Sequence, residues 1–200
     1  MAPPSPRWVL ASGNAGKLRE FRALFAGAGV EVVPQGEMGV EDIEETGLSF
    51  IENALLKARH AARMTGLPAL ADDSGLCVDA LGGAPGLYSA RYAGRHGDAG
   101  ANIAKLLDEL DGMSDAARQA RFVAVIVLLS SPEDPRPVVC EGVWEGRILH
   151  APLGDGGFGY DPVFLPDGHA CSAAQLDPAL KNRISHRGQA LAGLRRQLNR

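Results

Sequence analysis

Residues 8–33, WVLASGNAGKLREFRALFAGAGVEVV, decide the fold class. Trp8 to Ala11 predicts a short strand. Leu18, Phe21, Leu24 and Phe25 then recur at helical spacing, with Lys17, Arg19 and Glu20 on other faces. Gly27 and Gly29 are placed to end that helix, and Val30 to Val33 predicts a second strand. The chain therefore opens strand, loop, helix, strand.

The same alternation continues. Ser49-Phe50-Ile51-Glu52 has the S-x-x-E form of a capping box. Ile51, Ala54, Leu55, Ala58 and Ala62 line one face of the helix it opens, and Gly66-Leu67-Pro68 stops it. Ala69 to Ala71 and Leu76 to Val78 predict strand on either side of Asp72 and Asp73. Ile103, Leu106, Leu107 and Leu110 mark a third helix. Val123 to Leu129 and Val138 to Trp144 predict long strands, with Gly142 to Gly146 a bulge or turn. Asp177-Pro178 has the form of N-cap and first helical residue, and Leu191, Leu194 and Leu198 give a last amphipathic helix. Helices and strands mixed in this way predict an α/β fold around a mixed sheet.

The totals narrow the classes. At 200 residues the chain has room for one domain or two merged lobes; we expect a disordered lead over residues 1–7 and a single domain over 8–200. Hydrophobic residues make up 46% and charged residues 22%, enough for a sizeable core. A net charge of −4 disfavours a nucleic-acid binder. The start, MAPPSPR, has no apolar stretch of a signal peptide, and the run Val123 to Leu129 is far short of a membrane span. Cys77, Cys140 and Cys171 are widely spaced and odd in number, which fits reduced thiols and a cytoplasmic location.

Five polar clusters stand out. Ser12, Gly13, Asn14, Ala15, Gly16 and Lys17 join the first strand to the first helix, where free N–H groups and the helix dipole favour an anion. The stretch is not a Walker A loop, since Ala11 and Leu18 occupy two of its required positions. Taken alone, the stretch is better explained as an ordinary strand-to-helix turn with Asn14 as N-cap. Glu44 and Glu45 precede the capping box; they suit either the helix dipole or a magnesium site shared with Asp72 and Asp73. ADDSG, residues 71 to 75, reads alone as a turn at the end of a strand. GDGGFGYDP, residues 154 to 162, formally holds G-x-G-x-x-G but leads into a short apolar run rather than a long helix. Presenting Phe158, Gly159, Tyr160 and Asp161, it suits a flat heterocycle; the plainer alternative is a hairpin loop with its aromatics tucked inward. Lys181, Arg183, His186 and Arg187 form a local basic cluster. Taken together, these are the parts of a magnesium-dependent nucleotide hydrolase.

SGNAGKLREF, EETGLSFIENALLKA, ADDSGLCVDALGGAPGLYSARYAG, GGFGYDPVF and SHRGQAL, in this order, closely resemble the inosine triphosphate pyrophosphatase family. The resemblance runs from about Val9 to the last helix. It implies an elongated mixed sheet flanked by helices, two lobes with a nucleotide cleft between them, a Mg2+ requirement and a homodimer. It also implies hydrolysis of dITP, ITP and XTP to the monophosphate and pyrophosphate. By the same resemblance, Ser12 to Lys17 hold the triphosphate. Asp73 is the general base and a metal ligand, with Ser74 beside it and Asp72 in a supporting role. Phe158 to Asp161, Lys181, His186 and Arg187 enclose the base and neighbouring phosphates, and Glu44 or Glu45 helps hold the metal. A pyrophosphatase for modified pyrimidine or methylated nucleotides, and a non-catalytic nucleotide sensor, are the two rival readings.

Overall fold

The computed structural model describes residues 6–26 and 29–199. Residues 1–5 of the expected 1–7 lead and the helix stop at Gly27 lie outside them. Eleven regular elements follow in chain order: β1 (Arg7–Leu10), α1 (Ala15–Phe25), β2 (Glu31–Pro34), α2 (Phe50–Thr65), β3 (Ala69–Val78), α3 (Ala99–Glu109), β4 (Gln119–Leu129), β5 (Val138–Ile148), β6 (Phe164–Pro166), α4 (Pro178–Ile184) and α5 (His186–Leu198). The strands form one sheet in the order β2-β1-β3-β4-β5-β6. β1 pairs in parallel with both β2 and β3, while β5 and β6 pair antiparallel, so the sheet is mixed as predicted. Among the described residues no helix is long and apolar enough to cross a membrane.

The chain divides into two compact units, one of Met1–Asp73, Val125–Glu141 and Ala190–Arg200, the other of Ser74–Ala124 and Gly142–Gln189. In the first unit β1 is flanked on one side by β2 and on the other by β3. The chain thus leaves β1, returns at one edge, and then crosses to the opposite side. That reversal leaves room beyond the carboxyl ends of the strands, where open α/β sheets bind ligands. β1 stops at Leu10, while β3 runs on for eight residues past its last partner in β1, Leu70.

The helix signals act as their chemistry requires. Ser49 Oγ accepts from Glu52 N at 3.3 Å, and Glu52 Oε2 accepts in return from Leu48 N at 2.9 Å. The carboxylate so satisfies a donor one residue before the usual capping-box partner. Gly66, at φ 68°, closes the other end with its N–H on Ala62 O. Asp177 Oδ1 caps α4 through Leu180 N at 3.0 Å, and Pro178 follows it.

Burial along β4 differs between its halves. From Gln119 to Ala124, in the second unit, buried residues alternate with exposed or half-buried ones, as on a sheet with one face covered. From Val125 to Leu129, in the first unit, every residue is buried. The second unit has a core of Leu76, Leu106, Phe122, Trp144, Tyr160 and Phe164 among others.

Three expectations are corrected. β5 runs unbroken through Gly142 and Gly146, with no bulge or turn ending it. Gly146 is there for close approach: it pairs with Pro166, and a Cβ on it would land on the Leu165 carbonyl oxygen and the Phe164 ring. Likewise β3 runs straight through Asp72, Asp73 and Ser74, so ADDSG is strand and not a turn at the strand's end. β1 also starts one residue early, at Arg7. For Gly146→Ala we expect a loss of ~1–3 kcal/mol from overpacking against β6. Chemical denaturation reads it, and an unchanged unfolding midpoint would show that β6 can move aside freely.

Candidate active site

A strand that carries two adjacent carboxylates through a sheet must neutralise both. Asp72 and Asp73 point to opposite faces, and each meets a different lysine. Asp72 is 1% exposed; its Oδ2 lies 3.2 Å from Lys17 Nζ, which also donates to the Asp72 carbonyl at 3.4 Å. Asp73 is 8% exposed, and its Oδ1 accepts from Lys57 Nζ at 2.8 Å. Lys57 Nζ also donates to Glu45 Oε1 at 2.7 Å. One ammonium thus draws two carboxylates to a single point.

The loop that brings Glu45 there is tied to α2. Gly47 N donates to Oδ1 of buried Asn53 at 2.8 Å, and a Cβ on Gly47 would meet that oxygen at 2.7 Å. Glu44, its neighbour, is exposed. The structure therefore brings Glu45, and not Glu44, to Asp73. Lys57 was not singled out in the sequence, although a signal existed. It falls between Ala54, Ala58 and Ala61, three buried residues of α2, and a lysine on an apolar stripe asks for a buried partner.

Burial raises the Asp73 pKa above the ordinary carboxylate value, and Lys57 only partly opposes this because it is shared with Glu45. Burial also works to lower the Lys57 pKa, yet two carboxylates outweigh it and the net shift is upward. The two directions agree physically: one cation facing two anions holds its proton firmly, while each anion has only part of a cation.

Ser12 to Lys17 fold as a capped helix start. Asn14 Oδ1 accepts from Gly16 N at 2.8 Å and Lys17 N at 3.1 Å, while Asn14 N donates to Ser12 Oγ at 3.1 Å. The N-cap role for Asn14 is observed, and Gly16 and Lys17 spend their N–H groups on it.

In the second unit Arg187 Nη2 donates to Ser74 Oγ at 3.2 Å. Asp161, 2% exposed, organises the glycine-rich loop: it accepts from Phe158 N at 2.6 Å and pairs with Lys181. Gly157 has φ 75°, and a Cβ on it would land on the Asp161 carboxylate, so the loop needs glycine there on both counts. Phe158 is 59% exposed, with Lys181 Nζ 4.8 Å and Arg187 5.7 Å from its ring centroid. Tyr160 departs from the expectation that it faces a ligand. It is 4% exposed, lies in the core, and donates its hydroxyl to Ser89 O at 3.0 Å. Of the two aromatics only Phe158 is presented. His186 is buried at the start of α5, stacked on Phe122.

Among the described residues no three His, Cys, Asp or Glu side chains are assembled to hold a metal on their own. Asp73 and Glu45 still fit magnesium. Both are hard oxygen donors converging on one cationic point, and magnesium commonly takes one or two carboxylates and completes its shell with water and substrate phosphates.

The fold is α/β, with a buried acid–lysine cluster in one unit and, in the other, an exposed ring with two cations near its face. Residues 8–197 match the Ham1 family, and the chain belongs to it. A relative in Xanthomonas campestris named dITP/XTP pyrophosphatase is 64% identical over 191 residues, 96% of each chain. One in Shigella flexneri with the same name is 57% identical, across 92% of this chain and 93% of its own. The solved structure of a HAM1 protein from Coxiella burnetii superposes with a TM-score of 0.93 at 51% identity, covering 97% of this chain and 98% of that one.

The lysine bridge carries a test in the magnesium-free protein. Lys57→Met removes the largest influence holding the Asp73 pKa down and leaves burial and Glu45, both of which raise it. We expect the Asp73 carboxyl resonance to titrate at higher pH. Between its ordinary and its raised pKa the folded state binds more protons than the unfolded, so Asp73 erodes stability as pH rises through that window. The substitution extends the window upward. An unmoved titration would mean that Lys57 does not hold Asp73 in solution.

Proposed function

We propose that this chain hydrolyses the non-standard purine nucleoside triphosphates dITP, ITP and XTP to the monophosphate and pyrophosphate, clearing them from the nucleotide pool. The observation that carries the proposal is the Glu45–Lys57–Asp73 cluster: a buried carboxylate of raised pKa on a rigid strand, beside a second carboxylate and a fixed cation. Nucleotide binding alone does not require it. The shared name of relatives more than half identical over nearly the whole chain supports the same activity.

In the first unit, Asp73 and Glu45 would hold magnesium. When bound, the ion neutralises phosphate charge and polarises the phosphoryl group under attack. Asp73 takes the proton from the attacking water, whose oxygen bonds to the α-phosphorus. The bond from that phosphorus to the bridging oxygen breaks, and pyrophosphate leaves with the electron pair. Lys17, Lys57 and the start of α1 offset the growing charge, so catalysis is positioning plus electrostatics. In the second unit, Phe158 offers a ring to stack on, and Lys181, His186 and Arg187 offer donors. Hypoxanthine and xanthine carry an acceptor at C6 and a proton on N1, whereas adenine has an amino group and a bare N1. A donor aimed at O6 is left unpaired by adenine. We further propose that the chain works as a cytoplasmic homodimer, as the family resemblance implies; a monomeric mass in sedimentation at working concentration would overturn the dimer.

The test is a panel of nucleoside triphosphates with magnesium, measuring pyrophosphate and orthophosphate separately. We expect pyrophosphate from dITP, ITP and XTP, with dATP poorer by up to ~10⁴-fold in kcat/KM. Chelation should abolish turnover. Orthophosphate as the direct product, or equal use of dATP and dITP, would overturn the assignment. Asp73→Asn is nearly isosteric and should lower kcat by at least ~10²-fold while the variant stays folded. Asp72→Asn serves as the comparison and should cost less turnover.

A further inference from the structure

The base-side residues include one whose orientation is set from beneath. The backbone of His186 sits at the tight junction of α4 and α5. Ser185 Oγ accepts from Gly188 N at 3.2 Å, and a Cβ on Gly188 would land on the Asn182 carbonyl. That fixes where the side chain starts and leaves the ring free to turn about its own bonds. Phe122, on β4, limits the turning. Its ring lies 4.8 Å from the imidazole centroid at 12°, a parallel stack, and Trp144 lies 6.4 Å away at 22°. Phe122 is itself held edge-on by Phe164 at 4.7 Å and 64°. It is 8% exposed, and a branched aliphatic side chain would keep the site apolar at some cost in packing. Only an aromatic supplies a flat face.

We propose that Phe122 is a positioning residue for base recognition: it is the shelf that sets the plane of the His186 imidazole. Imidazole nitrogens offer hydrogen bonds in the ring plane. Setting that plane sets the direction in which they meet a purine edge, and because a hydrogen bond weakens steeply when misaligned, a donor held in line gains most from the acceptor O6 over an amino group. The inference rests on the proposed role of His186 at the base.

The experiment compares kcat and KM for dITP and dATP in the wild type, Phe122→Leu, Phe122→Tyr, His186→Ala, and Phe122→Leu with His186→Ala, each checked by thermal unfolding. Phe122→Met replaces Phe122→Leu if the latter does not fold. Phe122→Leu should raise KM for dITP roughly three- to tenfold, the worth of an aromatic pair beyond its area, with kcat unchanged and the preference over dATP narrowed. Phe122→Tyr keeps the flat face and should keep the preference. In the His186→Ala background, Phe122→Leu should change the preference no further. A wild-type preference in Phe122→Leu would overturn the inference, as would an equal loss with and without His186. If His186→Ala leaves the preference intact, the base role of His186 falls and the shelf falls with it; if it abolishes the preference while Phe122→Leu does not, the shelf alone fails.

Discussion

The cation of Lys57 is the constraint on which the first unit depends. Asp73 sits in the middle of a strand, 8% exposed, and a carboxylate so placed is strongly disfavoured unless it is neutralised or paired. Lys57 pairs it, and does so from α2, whose buried residues are Asn53 and four alanines. Those alanines let α2 pack closely and bring the lysine stem to the sheet. The capping box fixes where α2 begins, and Asn53 fixes the loop that delivers Glu45. Helix start, loop and strand are thus coupled through one ammonium. Removing one partner of such a pair leaves the other buried and costs about 3–5 kcal/mol in typical cases.

A second lysine does the matching work on the other face of β3. Lys17 read in the sequence as a phosphate ligand, and it also pairs with Asp72. The two roles are compatible, since a cation 19% exposed at its side chain can still offer charge to an anion. They do mean that Lys17 reports on the fold as well as on phosphate, which is why the catalytic test above rests on Asp73.

What could be read in the sequence was what local chemistry dictates. Ser49-x-x-Glu52, Gly66 and Asp177-Pro178 placed helix ends, because capping involves residues three or four apart. The strand–helix–strand opening gave the mixed α/β class. In isolation the aspartates resemble a turn because Asp, Ser and Gly favour turns locally, and the lysines that stabilise them within a continuous strand lie 55 and 16 residues away. Gly146 was misread for the same reason. Its absent side chain makes room for Leu165, a contact the local sequence does not show. Tyr160 and Phe158 looked equivalent in the loop. The Ser89 carbonyl, which takes the Tyr160 hydroxyl, drew one of them into the core. Glu44 and Glu45 could be told apart only by the reach of Lys57.

Under the proposed function, the different demands of phosphate and purine account for the different materials of the two units. Phosphate is recognised by charge, which acts over several ångströms and tolerates small misplacements, so lysines on long stems suffice. A purine edge is recognised by hydrogen bonds whose direction matters, so its ligands must be held by their shape. The second unit meets that need with flat rings and glycines: Phe122 beneath His186, Asp161 pinning the loop at Gly157, and Gly188 locking the turn from which His186 and Arg187 emerge. Under that proposal the acidic strand serves the chemistry, and the aromatic core beneath His186 serves the choice of substrate.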